Sequence, residues 1–420
     1  MKTDDFLEYT PEEKTQLQLE RLQSTLNRAY RQVNFHRQRM NAAAVEPGQI
    51  ESLADMSLLP FLERADFSEH YPYELFAVPL RDIVRIHTAP GISRNPTVSG
   101  YTSQDLDMWR RITARALTAA SVSAHDILQV AFNQGLANWG RDYKDSAEDI
   151  GVSVIPNTQL SIDKQFMILR DYKTTVLVTT PAMAFQLADY MHRMQIGPAA
   201  LNLNTMIIAG ETISDDFRKD IEERAFVTCW LHYGLSEVPG PAIAFECTAH
   251  DGLHISEDHF LAEIIDPETK AILPPGETGE LVLTTLTTRA FPLIRFRTGD
   301  TARIMEAPCS CGSPLARIQL FPERTDDIMK VDGVKIHSRQ VCNILEDTLP
   351  VTTEQINCRV RDDKGSKQLE ILIPMNDEIF SDEIKEIEKL LRKTEHRLRE
   401  DLGVAVLIRL VEPTSRNSFE

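Results

Sequence analysis

Three short apolar runs alternating with helical stretches constrain this chain more than any other feature. Val152–Ile155, Thr175–Thr179 and Thr205–Ala209 are brief, rich in Val and Ile, and followed by turn residues. Asp163–Tyr172, Ala182–Met194 and Asp215–Ala225 carry helical periodicity. Strand–helix alternation of this kind predicts an α/β fold with a parallel, doubly wound sheet.

After Ile255 the pattern changes. Phe260–Ile265 and Glu280–Thr285 read as strands joined through the Pro274-Pro275-Gly276-Glu277 turn, so a β-rich subdomain is expected. Near Pro322–Thr325 a charged stretch begins and the pattern restarts. Ile328–Val334, Glu370–Pro374 and Val404–Leu410 read as strands, and Asp382–Leu402 as an amphipathic helix stopped by Gly403. At the other end, Thr10-Pro11-Glu12-Glu13 reads as N-cap, N1 proline and capping-box glutamate of a first helix. The expected organisation is a large N-terminal domain over 1–323, opening with a helical segment over 1–80, and a small α+β C-terminal domain over 324–420.

Composition narrows the function. With 42% hydrophobic residues in 420, the chain has an ample core. Its 45 Lys+Arg against 63 Asp+Glu leave a net charge of −18, which opposes nucleic-acid and anionic-membrane binding. No apolar run approaches the ~20 residues that span a bilayer. The opening MKTDDFLEYTPEEK is acidic and has no signal-peptide core, and six cysteines are too few for a disulfide scaffold. A soluble cytoplasmic protein is expected.

Cys309-Ser310-Cys311-Gly312 is a knuckle of a kind that seldom arises for packing alone. Structural zinc wants four N/S ligands in a tetrahedron. Cys309, Cys311 and Cys247 supply three; His254 or His250 supplies the fourth. Cys229, Cys342 and Cys358 read as isolated core or surface thiols.

Three further blocks follow in order: Tyr233-Gly234-Leu235-Ser236-Glu237, Arg297-Thr298-Gly299-Asp300, and Arg324-Thr325-Asp326-Asp327. Each alone is weak. Together with Phe76-Ala77-Val78-Pro79, Arg85-Ile86-His87, Gly100-Tyr101-Thr102, Glu257-Asp258-His259-Phe260 and Gly279-Glu280-Leu281-Val282, they make the chain resemble the phenylacetate–CoA ligase branch of the adenylate-forming enzymes. The resemblance covers nearly the whole chain, and the zinc knuckle is similar to one found in part of that branch.

The resemblance implies a ligase: an acid attacks the α-phosphate of ATP to give acyl-AMP and pyrophosphate, and coenzyme A then displaces AMP. It implies Glu237 as Mg²⁺ ligand and Asp300 as acceptor for the ribose hydroxyls. Arg324 would lie by the ribose and α-phosphate. Ala209-Gly210-Glu211 would flank the adenine, with Tyr233, Gly234 and Ser236 completing the nucleotide site. Asp326 would be the hinge of a mobile C-terminal domain. The implied cofactors are ATP/AMP, Mg²⁺, coenzyme A and structural Zn²⁺. The implied partners are a small aromatic or related carboxylic acid, ATP and CoA, with a homodimer as a further expectation.

Three places depart from the family. The phosphate loop, approximately S-S-G-T-T-G-K-P-T there, is Ala89-Pro90-Gly91-Ile92-Ser93-Arg94-Asn95-Pro96-Thr97 here. Gly91, Ser93 and Thr97 remain as nucleotide-binding candidates, and Arg94 is either a guanidinium substitute or the mark of a loop that no longer grips ATP. The acid-pocket stretch is Gln134-Gly135-Leu136-Ala137-Asn138-Trp139-Gly140, then Arg141. Gln134, Ala137, Trp139 and Arg141 suggest a larger or more polar acid than phenylacetate, or a pocket filled by Trp139. The family also continues into a Gly-Lys carrying the adenylation lysine, whereas this sequence stops at Glu420, through a naturally short or a trimmed tail. Loss of one preorganised cation costs ~10²–10³ in rate. Lys330 and Lys335 do not align with that lysine and read as surface residues. Two other readings stand beside the ligase: an adenylation-only enzyme that passes AMP to a cofactor without CoA transfer, and a catalytically silent, zinc-stabilised binding protein.

Overall fold

Thr205–Ala209 forms the expected strand and lies between Val176–Thr179 and Thr228–Tyr233, all parallel. Ile127–Ala131 and Ser153–Ile155 extend the parallel set outward. Side chains alternate across this sheet, as the two-residue period of a strand requires. Val176, Val178, Ile207 and Ala209 join one apolar cluster, while Leu177, Met206 and Ile208 join another on the opposite face. Burial on both faces explains why these runs are continuously apolar. Helices Ala137–Asp149, Ile162–Asp171, Pro181–Arg193 and Asp215–Ala225 make the connections. This computed structural model describes residues 5–89, 95–132, 137–156, 160–238, 240–326, 328–331, 334–349, 356–363, 366–374 and 384–411.

The sheet does not stop at Tyr233. Ala244–Phe245 pairs antiparallel with Thr228–Tyr233. Leu253–Ile255, Arg317–Arg324, Phe296–Ile304, Gly279–Thr285 and Phe260–Ile265 then follow in order, completing eleven strands. The β-rich region expected as a subdomain is thus the antiparallel half of the same sheet. The Pro-Pro-Gly-Glu turn marks where the chain reverses; it carries no information about which edge the strands join.

The first helix is Pro11–Gln32, and both reciprocal bonds of its Thr10/Glu13 capping box form, at 2.8 and 3.2 Å. Its Leu22, Leu26 and Ala29 pack with Met40, Leu286 and Ile294, which fixes the N-terminal helices to the antiparallel half.

In the C-terminal region, Asn357–Asp363, Ser366–Pro374 and Val406–Val411 form a three-stranded sheet. Helices Ser338–Thr348 and Ile384–Leu402 share its core, with Leu345, Ile371, Leu398 and Val406 fully buried. The single strand expected over Ile328–Val334 is instead two, Ile328–Val331 and Val334–His337, paired antiparallel. Asp332-Gly333 between them is a hairpin signal that the apolar flanks obscured. Among the described residues, no helix is long and apolar enough to cross a membrane.

Candidate active site

Strands Thr205–Ala209 and Thr228–Tyr233 are neighbours, and their carboxyl ends open onto a cavity of about 340 Å³. Open α/β sheets bind ligands at such strand ends. Gly210, Glu211, Tyr233, Gly234, Gln319 and Lys330 are among its lining. Gly210 takes φ +106°, a conformation that excludes most side chains. At Gly234 a Cβ would meet the Gly240 carbonyl at 2.6 Å, so this close backbone approach also requires glycine.

Asp300 is the focus of the polar groups beside this cavity. It is 5% exposed. The Tyr233 hydroxyl donates to its Oδ2 at 2.7 Å, Lys330 Nζ to its Oδ1 at 3.0 Å, and Arg324 pairs with the same Oδ1. Arg324 also forks onto Asp326 at 2.7 and 2.8 Å and donates to the Thr298 carbonyl at 2.9 Å. Burial alone would lower the Arg324 pKa, but Asp300 and Asp326 outweigh it and hold it above its ordinary value. Burial, then the Asp300 carboxylate, raises the Tyr233 phenol well above its usual range, so it stays a donor. Gly299 has φ +71°, and a Cβ there would run into the Asp326 carboxylate.

Glu237 is buried and is contacted by Ser236 Oγ at 3.2 Å. It pairs with Arg64, a half-buried residue of the N-terminal helical segment that the motif reading did not select. Arg64 also reaches Asp326 Oδ2 at 3.5 Å and the Thr298 carbonyl at 2.7 Å, and lies over the Phe296 ring. One guanidinium therefore joins Glu237 to the Arg324–Asp326 fork. No local pattern marks Arg64 in sequence. Lys330 was legible only as a surface lysine; its bond to Asp300 corrects that reading. The side chain of Lys335 is outside the described residues.

Thr97 is buried at the start of strand Thr97–Tyr101, which pairs with Arg85–Ala89. Gly91, Ser93 and Arg94 fall outside the described residues. Asn95 exchanges bonds with Ser68, its Nδ2 donating to the Ser68 carbonyl at 3.0 Å. Arg85 anchors the ribbon by pairing with Asp142 at 2.6 Å. In the acid-pocket stretch, Gln134 is outside the described residues, as is the side chain of Ala137. Trp139 is buried in one cluster with Phe132, Tyr143, Ala209 and Trp230. Arg141 is exposed on helix Ala137–Asp149.

The sulfur-rich cluster assembles where strand Leu253–Ile255 pairs with Arg317–Arg324. One donor atom each from Cys247, His254, Cys309 and Cys311 lies within 4.8 Å of the other three. The sulfurs of Cys247 and Cys309 are 3.5 Å apart, and Cys311 Sγ is 3.3 Å from His254 Nε2. His254 Nδ1 lies 3.0 Å from the Leu315 carbonyl, which can only accept, so Nδ1 carries the proton and Nε2 presents its lone pair to the cluster. This donor set fits a closed tetrahedral zinc site. His250 does not belong to it: its Nδ1 faces Glu246 and Arg218, and its ring lies against Trp230.

The chain matches the AMP-binding enzymes in both of its regions. The AMP-binding enzyme profile matches residues 151–287, and that of the AMP-binding enzyme C-terminal domain matches residues 333–420. The phenylacetate–coenzyme A ligase of Thermus thermophilus is 33% identical, over 97% of this chain and 94% of the relative. That of Aromatoleum evansii is 35% identical over 94% and 90%. The chain belongs to the phenylacetate–CoA ligase branch of this family. A 2-hydroxyisobutyryl-CoA ligase, crystallised with its acyl-AMP and CoA, shares the fold with a TM-score of 0.90 at 21% identity, over 99% of this chain and 90% of that one.

Proposed function

We propose that this chain is an acid–CoA ligase: it activates an aromatic or related carboxylic acid with ATP and passes the acyl group to coenzyme A. The observation that carries this reading is the buried Asp300 carboxylate, held by Tyr233 and Arg324 beside a nucleoside-sized cavity. In the first step a carboxylate oxygen attacks the α-phosphorus, and pyrophosphate leaves with the electrons of the broken P–O bond. In the second, the CoA sulfur attacks the acyl carbon, and AMP leaves.

Each residue has a task in this reading. Asp300 accepts from the ribose hydroxyls. Tyr233 and Arg324 fix its orientation, and Arg324 adds a permanent cation near the reacting phosphate. Gly210 and Gly234 keep the cavity wall thin enough for a flat base to approach the backbone. Glu237 would hold Mg²⁺, which supplies charge neutralisation of the leaving pyrophosphate. Arg64 now compensates that carboxylate, and it already touches the Asp326 carboxylate and Thr298 carbonyl that could retain it when a metal takes its place. Asp326 lies between the large sheet and the strands from Ile328 onward and would serve as the hinge, with the small domain beginning at Arg324. The zinc would be structural, since four protein donors leave no open position.

The test is ATP·Mg²⁺ binding by calorimetry with wild type and Glu237→Ala, followed by acid-dependent pyrophosphate release. Binding that weakens in the variant, with AMP release that depends on CoA, supports the ligase. Pyrophosphate release with AMP retained on an acceptor, and no AMP release on adding CoA, supports the adenylation-only reading. No nucleotide binding at millimolar ATP overturns both.

A further inference from the structure

Two lysines of the C-terminal region reach back to carboxylates of the large sheet. Lys330 donates to Asp300 at 3.0 Å. Lys367, on strand Ser366–Pro374, pairs with Glu211, whose side chain is only 4% exposed. Glu211 and Lys330 both line the 340 Å³ cavity, and Ser366–Pro374 also packs against helix Pro181–Arg193. A carboxylate this buried is costly unless compensated, so the Lys367 contact favours the arrangement that makes it.

The same arrangement keeps Lys330 on Asp300. A carboxylate has about four acceptor positions. Tyr233, Arg324 and Lys330 take at least three of them, leaving at most one. A ribose diol gripped through both hydroxyls needs two.

Resting on the adenylate-forming reading above, we infer that Lys367 is a positioning residue: its ion pair with Glu211 latches the C-terminal region so that Lys330 occupies Asp300 and opposes the ribose grip. Nucleotide binding and the latch then compete. A ligand that binds better to the unlatched arrangement gains affinity when the latch is weakened.

The test uses the full chain with Lys367→Glu, Lys367→Arg and Lys330→Met, and AMP as the probe. Calorimetry should show AMP binding tighter by about fivefold or more in Lys367→Glu, within the usual range of coupling between sites. Lys330→Met should gain similarly, and Lys367→Arg should match wild type. Damage from a merely structural role would weaken binding rather than strengthen it. Amide hydrogen exchange should accelerate over Pro181–Arg193 and Gly210–Ile213 in Lys367→Glu, and not in Lys367→Arg. Unchanged exchange in Lys367→Glu, or unchanged or weaker AMP binding with wild type still binding, overturns the latch. If no protein binds AMP, the adenylate-forming reading fails while the exchange data still decide whether the ion pair holds the two regions together.

Discussion

The Tyr233 hydroxyl meets the Asp300 carboxylate at 2.7 Å although three strands of the sheet lie between them. At ~4.8 Å per strand, a flat sheet would hold the two backbones ~19 Å apart. The antiparallel half must therefore curl over the carboxyl ends of the parallel half. That curl brings a tyrosine at a strand end and an aspartate 67 positions later to one point.

Asp300→Asn keeps the shape and removes the charge. Hydrogen bonds to charged groups are worth about 1.5–3 kcal/mol. ATP affinity should therefore fall by about tenfold or more, read by calorimetry. Tyr233→Phe, which removes only an orienting donor, should cost less. A wild-type affinity in Asp300→Asn would remove Asp300 from the nucleotide site.

Arg64→Ala should destabilise the protein by about 3–5 kcal/mol, because it leaves the buried Glu237 and part-buried Asp326 with less compensation. Arg64→Lys should recover only part, since an ammonium cannot reproduce the fork onto both partners. Chemical unfolding of the three proteins side by side checks the order.

Metal analysis should find one zinc per chain in wild type and in His250→Ala, and little in His254→Ala or Cys309→Ser. Chelation should lower the melting temperature of wild type, since structural zinc contributes apparent binding energies of ~10–16 kcal/mol. Zinc retained in His254→Ala would assign the fourth ligand elsewhere.

The buried Asp142 and the half-buried His87 of the ribbon have opposite pH signatures. Burial pushes Asp142 from 3.8 up to about 6, with Arg85 opposing. Its stabilising contribution is present below pH 3.8 and is lost as pH rises through 6. Burial, then Arg85, pushes His87 from 6.5 down to about 4. Its contribution is present above pH 6.5 and is lost as pH falls through 4. In wild type the two slopes oppose one another across that window. Relative to wild type, His87→Asn should gain stability on acidification through it, and Asp142→Asn should lose stability. Urea unfolding at several pH values reads both slopes.

Much of this was legible in the chain. Thr205–Ala209 and Asp215–Ala225 coincide with their expected ranges because both depend on local patterns: a doubly buried apolar run, and a Ser214-capped helix. The Tyr233, Asp300 and Arg324 blocks were legible through resemblance, and the structure brings these three side chains together. Arg64 and Lys367 were not legible. Each acts through a partner more than 150 positions away, Glu237 and Glu211, and nothing local distinguishes them from surface cations. The choice between His250 and His254 was equally closed to spacing. It turns on pairing between Leu253–Ile255 and Arg317–Arg324, which sets His254 opposite Arg317 beside the cysteine knuckle.

The four-donor cluster has a consequence for supply. It joins the segment after Ala244–Phe245, the strand Leu253–Ile255 and the loop before Arg317, and its four protein donors would leave a tetrahedral ion no open position. A metal held there would govern whether a newly made chain becomes a durable molecule, and would leave the chemistry of each finished molecule alone. Scarcity of that metal in a cell would then appear as fewer copies of the protein, each working at its usual pace.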